Sequence, residues 1–231
     1  MSLELSGTTG LKGVAGSVAA PSIVGDDTNT GISFPAADTI KFSTGGVERM
    51  AITNSGVTGI SGGKILQNIT VSDSVRETSG SVSLSSANTY YETPFAVTIT
   101  PSATSSKILL MGHMMGESSI GDLYLMFSIK RAISGGSTTA IQAPAAGNRA
   151  RGISVFPSGF YNAESASTPT VINFAGLVDS PNTTSAITYT IQVNSTQNAS
   201  QTFYYNRTVN DSDVIDFERG LSWITAQEIG A

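Results

Sequence analysis

His113 is the only histidine in the chain, and it lies in an apolar run, Leu109-Leu110-Met111-Gly112-His113-Met114-Met115. A catalytic base needs a carboxylate or a nucleophile within hydrogen-bond reach, which a sequence does not display. If three copies of the chain share an axis, His113 can meet its two mates there and bind a metal or an anion. The simpler reading is a strand histidine with its polar atoms satisfied, because three ligands must converge to make a site. The carboxylates Asp26-Asp27 and Asp211, Asp213 and Asp216 loosely resemble calcium ligands. They lack the spaced pattern and the bidentate closing Glu of an EF-hand loop, so turn and loop roles are expected. Two aromatic groups are placed to bind: Phe160-Tyr161-Asn162, in the loop opened by Phe156-Pro157-Ser158-Gly159, and Tyr204-Tyr205 before Asn206. Aromatic rings on loops stack on sugar faces, although edge-strand packing and subunit contact use the same residues. Asn68, Asn182 and Asn206 each open an Asn-x-Thr triplet, most simply a product of Asn and Thr richness. No cofactor and no metal are expected, with His113 as the weak exception.

These groups must be held by a chain of unusual composition. Charged residues make up 13% of 231 residues, about half the usual share. Gly (24 residues), Ser, Thr, Ala and Asn fill the difference. Disorder couples low hydrophobicity with high charge, so scarce charge points instead to short ordered strands joined by tight turns. Net charge is −5 with no basic run, so the electrostatic footprint of nucleic-acid binding is missing. No apolar stretch is long enough to span a bilayer. The first twenty residues lack the charged and apolar regions of a secretory signal. Cysteine is absent, which removes disulfides, thiol catalysis and Cys-based metal sites together.

Three regions differ in texture. Residues 1–20 are small and flexible and read as an attachment arm, ordered on a partner. Residues 21–62 alternate apolar and polar residues between turn signals. Ile32 and Phe34, Ile40 and Phe42, then Met50 and Ile52 are separated by Pro35-Ala36-Ala37-Asp38, Gly45-Gly46 and Asn54-Ser55-Gly56. Each piece reads as a strand of about four to six residues. One copy has too few large apolar residues for a core, and below roughly 40 residues a segment needs staples or oligomerisation to fold. Three copies around one axis would pool their apolar faces, which predicts a trimeric β stalk. The competing reading is a small sheet lying against the rest of the chain.

Residues 63–231 read as an antiparallel β-sandwich, jelly-roll-like. Alternation is strongest at 186–196, where Ile187, Tyr189, Ile191 and Val193 share a face, the pattern of a half-buried antiparallel strand. Leu123, Leu125, Phe127 and Ile129 share another, with apolar groups on both faces near the middle. Further strands are expected at 65–71, 95–100, 107–115, 152–156, 171–178, 202–205 and 221–229. Turn clusters punctuate them, and no window carries a helical period with capping signals.

Residues 21–56 also carry a specific pattern: Pro21-Ser22-Ile23, Gly25-Asp26-Asp27-Thr28-Asn29-Thr30-Gly31-Ile32, Pro35-Ala36-Ala37-Asp38-Thr39-Ile40, Thr44-Gly45-Gly46, Glu48-Arg49, Ile52 and Ser55-Gly56. It resembles a stalk segment of phage tail-fibre and spike proteins, especially marine and cyanobacterial ones. Lys64-Ile65-Leu66-Gln67 and the runs at 100–110, 179–193 and 219–229 resemble the domain that often follows it. The resemblance implies a homotrimeric virion fibre or spike, assembled in the host cytoplasm and docked through residues 1–20 on another virion protein. It would bind a host surface glycan or protein. On that reading Phe160, Tyr161, Asn162, Tyr204 and Tyr205 are the receptor-binding candidates. The alternatives are a capsid or tail decoration protein, and a polysaccharide depolymerase spike. The last needs two spaced carboxylates, which residue types alone allow. It usually also has a long repeating β-helix, which this chain lacks, so no enzymatic activity is expected.

Overall fold

The computed structural model describes residues 4–6, 10–12, 15–59, 65–120, 125–156, 167, 169–197 and 200–230. The chain divides into two compact units, Met1–Lys64 and Ile65–Ala231. Both are built from antiparallel strands.

The first unit opens with a two-stranded pair, β1 (Glu4–Ser6) and β2 (Gly10–Lys12). A five-stranded meander follows, in the order β3 (Ile23–Val24), β4 (Gly31–Ser33), β5 (Ile40–Thr44), β6 (Val47–Thr53) and β7 (Gly56–Thr58). The β5–β6 turn is Gly45-Gly46, with φ of 60° and 74°. Both positive angles match the right-handed twist of the flanking strands and carry no Cβ penalty at glycine. Asp27 shapes the β3–β4 turn: its carboxylate accepts from the Thr30 hydroxyl at 2.6 Å and the Asn29 N–H at 3.2 Å. These bonds, the Thr30 one first, hold its carboxyl below the usual value.

The second unit is a sandwich, as its alternation predicts. One sheet runs in the order β10 (Tyr90–Ile99), β16 (Ile187–Ser195), β12 (Leu125–Ile133) and β13 (Thr138–Ile141), with β14 (Ser154–Val155) also on β12. The other is centred on the long β11 (Lys107–Ser118). Its one edge pairs with β15 (Thr170–Asp179). Its other edge pairs first with β18 (Trp223–Ile229), then with β17 (Gln201–Tyr205). Outside these lie β8 (Ile65–Thr70) and β9 (Gly80–Leu84). The helix α1 (Asp73–Arg76) is a single turn between β8 and β9. The inward faces meet in one core that includes Phe95, Ile108, Leu110, Phe127, Tyr189 and Phe203. Each such side chain contributes about 1.5–3 kcal/mol on burial. Phe127, Phe156 and Phe203 form an aromatic cluster with centroids 4.9–5.6 Å apart. Phe156, first residue of the candidate loop, is thus a core residue.

Two polar clamps join the sheets at their margins. Arg131 on β12 lies on an inward position and donates to Asp179 of β15 at 2.7 Å. The Tyr189 hydroxyl donates to the other oxygen of Asp179, also at 2.7 Å. Burial first, then this bond and the Asp179 charge, push the Tyr189 phenol well above its ordinary value. The second clamp is Glu228 on β18, which is fully buried. Its carboxylate accepts from the Ser102 hydroxyl at 2.6 Å, the Ser102 N–H at 2.7 Å and the Gln67 amide at 2.6 Å. The segment that carries the chain from β10 to β11, one sheet to the other, is held there.

Candidate functional site

Cross-strand pairing in the meander decides which side chains share a face. Ile23, Ile32, Phe42 and Met50 are direct neighbours across β3 to β6. Ile40, Ile52 and Val57 form the next row. All seven lie on one face, because paired residues point the same way and successive residues alternate. The opposite face carries Ser33, Lys41 and Ala51 in one row, with Ser43 and Glu48 in another, and Lys41 pairs with Glu48 at 2.6 Å. Burial is inverted with respect to polarity. Ser33, Ser43 and Ala51 are buried, whereas Ile23, Ile52 and Val57 are exposed and the other four apolar residues only half covered. Ala51 is the only buried apolar side chain among the unit's described residues. A groove of about 450 Å³ lies at one end of the apolar face, against Phe34, Ile40 and Ile52.

The second candidate lies on the sandwich, where β17 leads into the 206–222 connection. Tyr204 pairs with Glu117 on β11 and lies under the Arg207 guanidinium, 4.4 Å from the ring centroid. This geometry is worth roughly 0.5–1 kcal/mol at a partly exposed site. Glu117 is buried and accepts the Val209 N–H at 2.6 Å. Arg219 ties the return of the loop, reaching Asp211 at 2.6 Å and the Ser79 hydroxyl at 2.8 Å. Between these ties the loop presents Val214 and Ile215 to solvent, Ile215 at 99% exposure, with Asp213, Asp216 and Glu218 around them. This apolar tip in an acidic loop is legible in the string Asp213-Val214-Ile215-Asp216, where two large aliphatic residues stand between carboxylates.

The sequence candidates separate in space. Tyr205 packs edge-on against Phe95, with centroids 5.5 Å apart at 88°, and its hydroxyl fills the space beside Gly80. Tyr204 is therefore the more available of the two tyrosines. Phe160, Tyr161 and Asn162 lie outside the described residues. His113 sits outward on β11 between Asn173 and Trp223, its Nδ1 2.7 Å from the Asn173 Oδ1. Of the carboxylates weighed as calcium ligands, Asp27 serves its turn and Asp211 pairs with Arg219. No group of three or more metal-ligating side chains occurs among the described residues. Nor is any helix among them long and apolar enough to cross a membrane. Asn206, read as part of a chance triplet, has a buried side chain.

No family model matches the chain, and no curated protein does. Among solved structures, the crystal structure of the infectious bursal disease virus VP2 subviral particle is similar, at 11% identity and a TM-score of 0.35. The match covers 83% of this chain and 49% of that one, so the chain spans about half the length of the matched structure. A likeness at that level carries no argument about function.

Proposed function

We propose that the chain is a structural subunit of a bacteriophage fibre or spike, a homotrimer without chemistry of its own that attaches the virion to its host. The observation that carries this reading is the apolar face of the meander. Ile32, Ile40, Phe42 and Met50 are only half covered within one chain, and among the unit's described residues there is no core. Exposed apolar surface costs roughly 25 cal/mol per Å² relative to its burial, so copies of the chain gain by pooling these faces. The number three and the phage assignment rest on the resemblance of residues 25–56 and 179–193. Residues 1–20 would then dock on another virion protein. Host contact would fall to the sandwich, through Tyr204 and the Val214-Ile215 tip.

Sedimentation equilibrium tests the association. The wild-type chain is expected at three times 23.8 kDa at micromolar concentration, and Phe42→Glu at or near 23.8 kDa. A monomeric wild type overturns the reading. Adsorption of the purified trimer to host cells tests attachment. A trimer that adsorbs to none of the strains the virion infects points to a capsid or tail decoration protein. Release of sugar fragments from host polysaccharide points to a depolymerase.

A further inference from the structure

An antiparallel sheet open to water on one side places polar residues at its outward positions. The β10–β16–β12 sheet carries polar residues there: Thr98, Thr188, Thr190 and Gln192, the last two buried, and Lys130 pairs with Glu92. The β11 sheet departs from this rule on β11 and β15, whereas β18 and β8 keep Thr225, Gln227, Thr70 and Asn68 outward. Along β11 the outward positions between Lys107 and Glu117, at the two ends, are Leu109, Met111, His113 and Met115, and the inward ones are also apolar. Val171 and Val178 on β15 extend the outward patch, 42% and 51% exposed, and half-buried Trp223 on β18 borders it beside His113 while also packing against the core. The rows that cross the sheet here carry no Asp, Glu, Lys or Arg: Val178–Leu109–Gln227–Asn68, Met111–Thr225–Thr70 and Asn173–His113–Trp223. A strand apolar on both faces is the pattern of a sheet covered on both sides.

We propose that this outward face is a self-association surface that packs against a second copy of this chain. The proposal rests on the homo-oligomeric reading above and assigns it a second contact. Charge selects the occupant. The chain carries a net charge of −5, so copies repel one another except where they meet through uncharged surface. The three rows carry no carboxylate, ammonium or guanidinium group, with Lys107 only at their margin, so they offer little ionic attraction to a basic or acidic partner. Area argues the same way. Four strands about 4.8 Å apart and about seven residues long cover on the order of 400 Å². A standard stable interface takes about 800 Å² from each partner. The β11 face therefore supplies about half of a stable contact, and the meander's apolar face is of similar size. Each of the two faces adds its own area to the association of the chains. His113 enters this contact already bonded to Asn173.

Trp223 is the only tryptophan in the chain, so its fluorescence reports on this face alone. Acrylamide quenching is measured on the full chain at micromolar concentration, beside Met111→Glu and the meander variant Phe42→Glu, with sedimentation mass and circular dichroism on each. The expected result is a shielded Trp223 in the wild type and a several-fold larger quenching constant in Met111→Glu, with the β-sheet spectrum unchanged. If Met111→Glu loses that spectrum, Val178→Glu at the exposed edge strand takes its place. A wild-type oligomer whose Trp223 is quenched as readily as in the variant overturns this surface and leaves the meander contact standing. A wild-type monomer overturns both.

Discussion

Asn206 shows how a residue read as incidental can be the most constrained in its neighbourhood. Its Nδ2 donates to the carbonyls of Arg76 and Thr78, at 2.7 and 2.8 Å, and its Oδ1 accepts from the Ser222 hydroxyl at 2.6 Å. Its backbone is left-handed, with φ of 60°, which asparagine tolerates better than most residues. One side chain thus ties the α1–β9 segment to the start of β18. Asn206→Ala removes three bonds at a buried position and leaves the buried Ser222 hydroxyl without that acceptor, so urea unfolding is expected to show a loss of about 2–4 kcal/mol. Asn206→Gly, which keeps the backbone easy, is expected to lose somewhat less. The triplet motif signalled none of this, because the partners lie about 130 residues earlier and 16 residues later.

At the scale of elements, β10 explains where periodicity stops being a guide. The sequence suggests a strand only from Phe95, because Pro94 has no N–H to give a ladder. The strand begins at Tyr90 all the same, with the register shifting between Glu92 and Ala96. The Thr93 hydroxyl donates to the Ile191 carbonyl at 2.8 Å and repairs the gap. The short strands β9 and β13 carry no periodic signal, since Gly80–Leu84 and Thr138–Ile141 are mostly small residues and pair because a neighbour is there. Glu228 belongs to this scale, for it holds an inter-sheet crossing. Burial alone would raise its carboxyl, but the bonds from Ser102, Ser106 and Gln67 together hold it below its ordinary 4.5. A carboxyl lowered in the folded state stabilises at pH above its unfolded value and loses that contribution as pH falls through its folded value. Urea midpoints between about pH 5 and about pH 3 are therefore expected to fall more steeply for the wild type than for Glu228→Gln. Equal slopes would remove Glu228 as a source of acid sensitivity.

For the whole molecule, the two units differ in how they are stabilised. The sandwich closes a contiguous core from its own strands, whereas the meander buries Ala51 and two serines and leaves its isoleucines at the surface. Association on the proposed faces makes stability depend on concentration, because anything that binds only the folded chain adds to its stability by mass action. A tenfold rise in protein concentration is expected to raise the melting temperature of the wild type by on the order of a few degrees. The same rise should leave Phe42→Glu unchanged; calorimetry at two concentrations checks both.

The sequence by itself determined the β class, the small helix content and the alternating faces of β5, β6 and β16. These depend on local periodicity and turn chemistry, which neighbours in the chain express together. It also contained the apolar face of residues 23–57, since the rows follow from strand length and turn length. Only the tertiary structure decided which strands neighbour β11, and so that Leu109, Met111 and His113 point away from the core beside Trp223. It alone set Glu228 against Ser102, Arg131 against Asp179, and Tyr205 against Phe95. The physical reason is distance along the chain: residues 48 to 126 positions apart meet only when the sheets close, and no local pattern encodes that meeting.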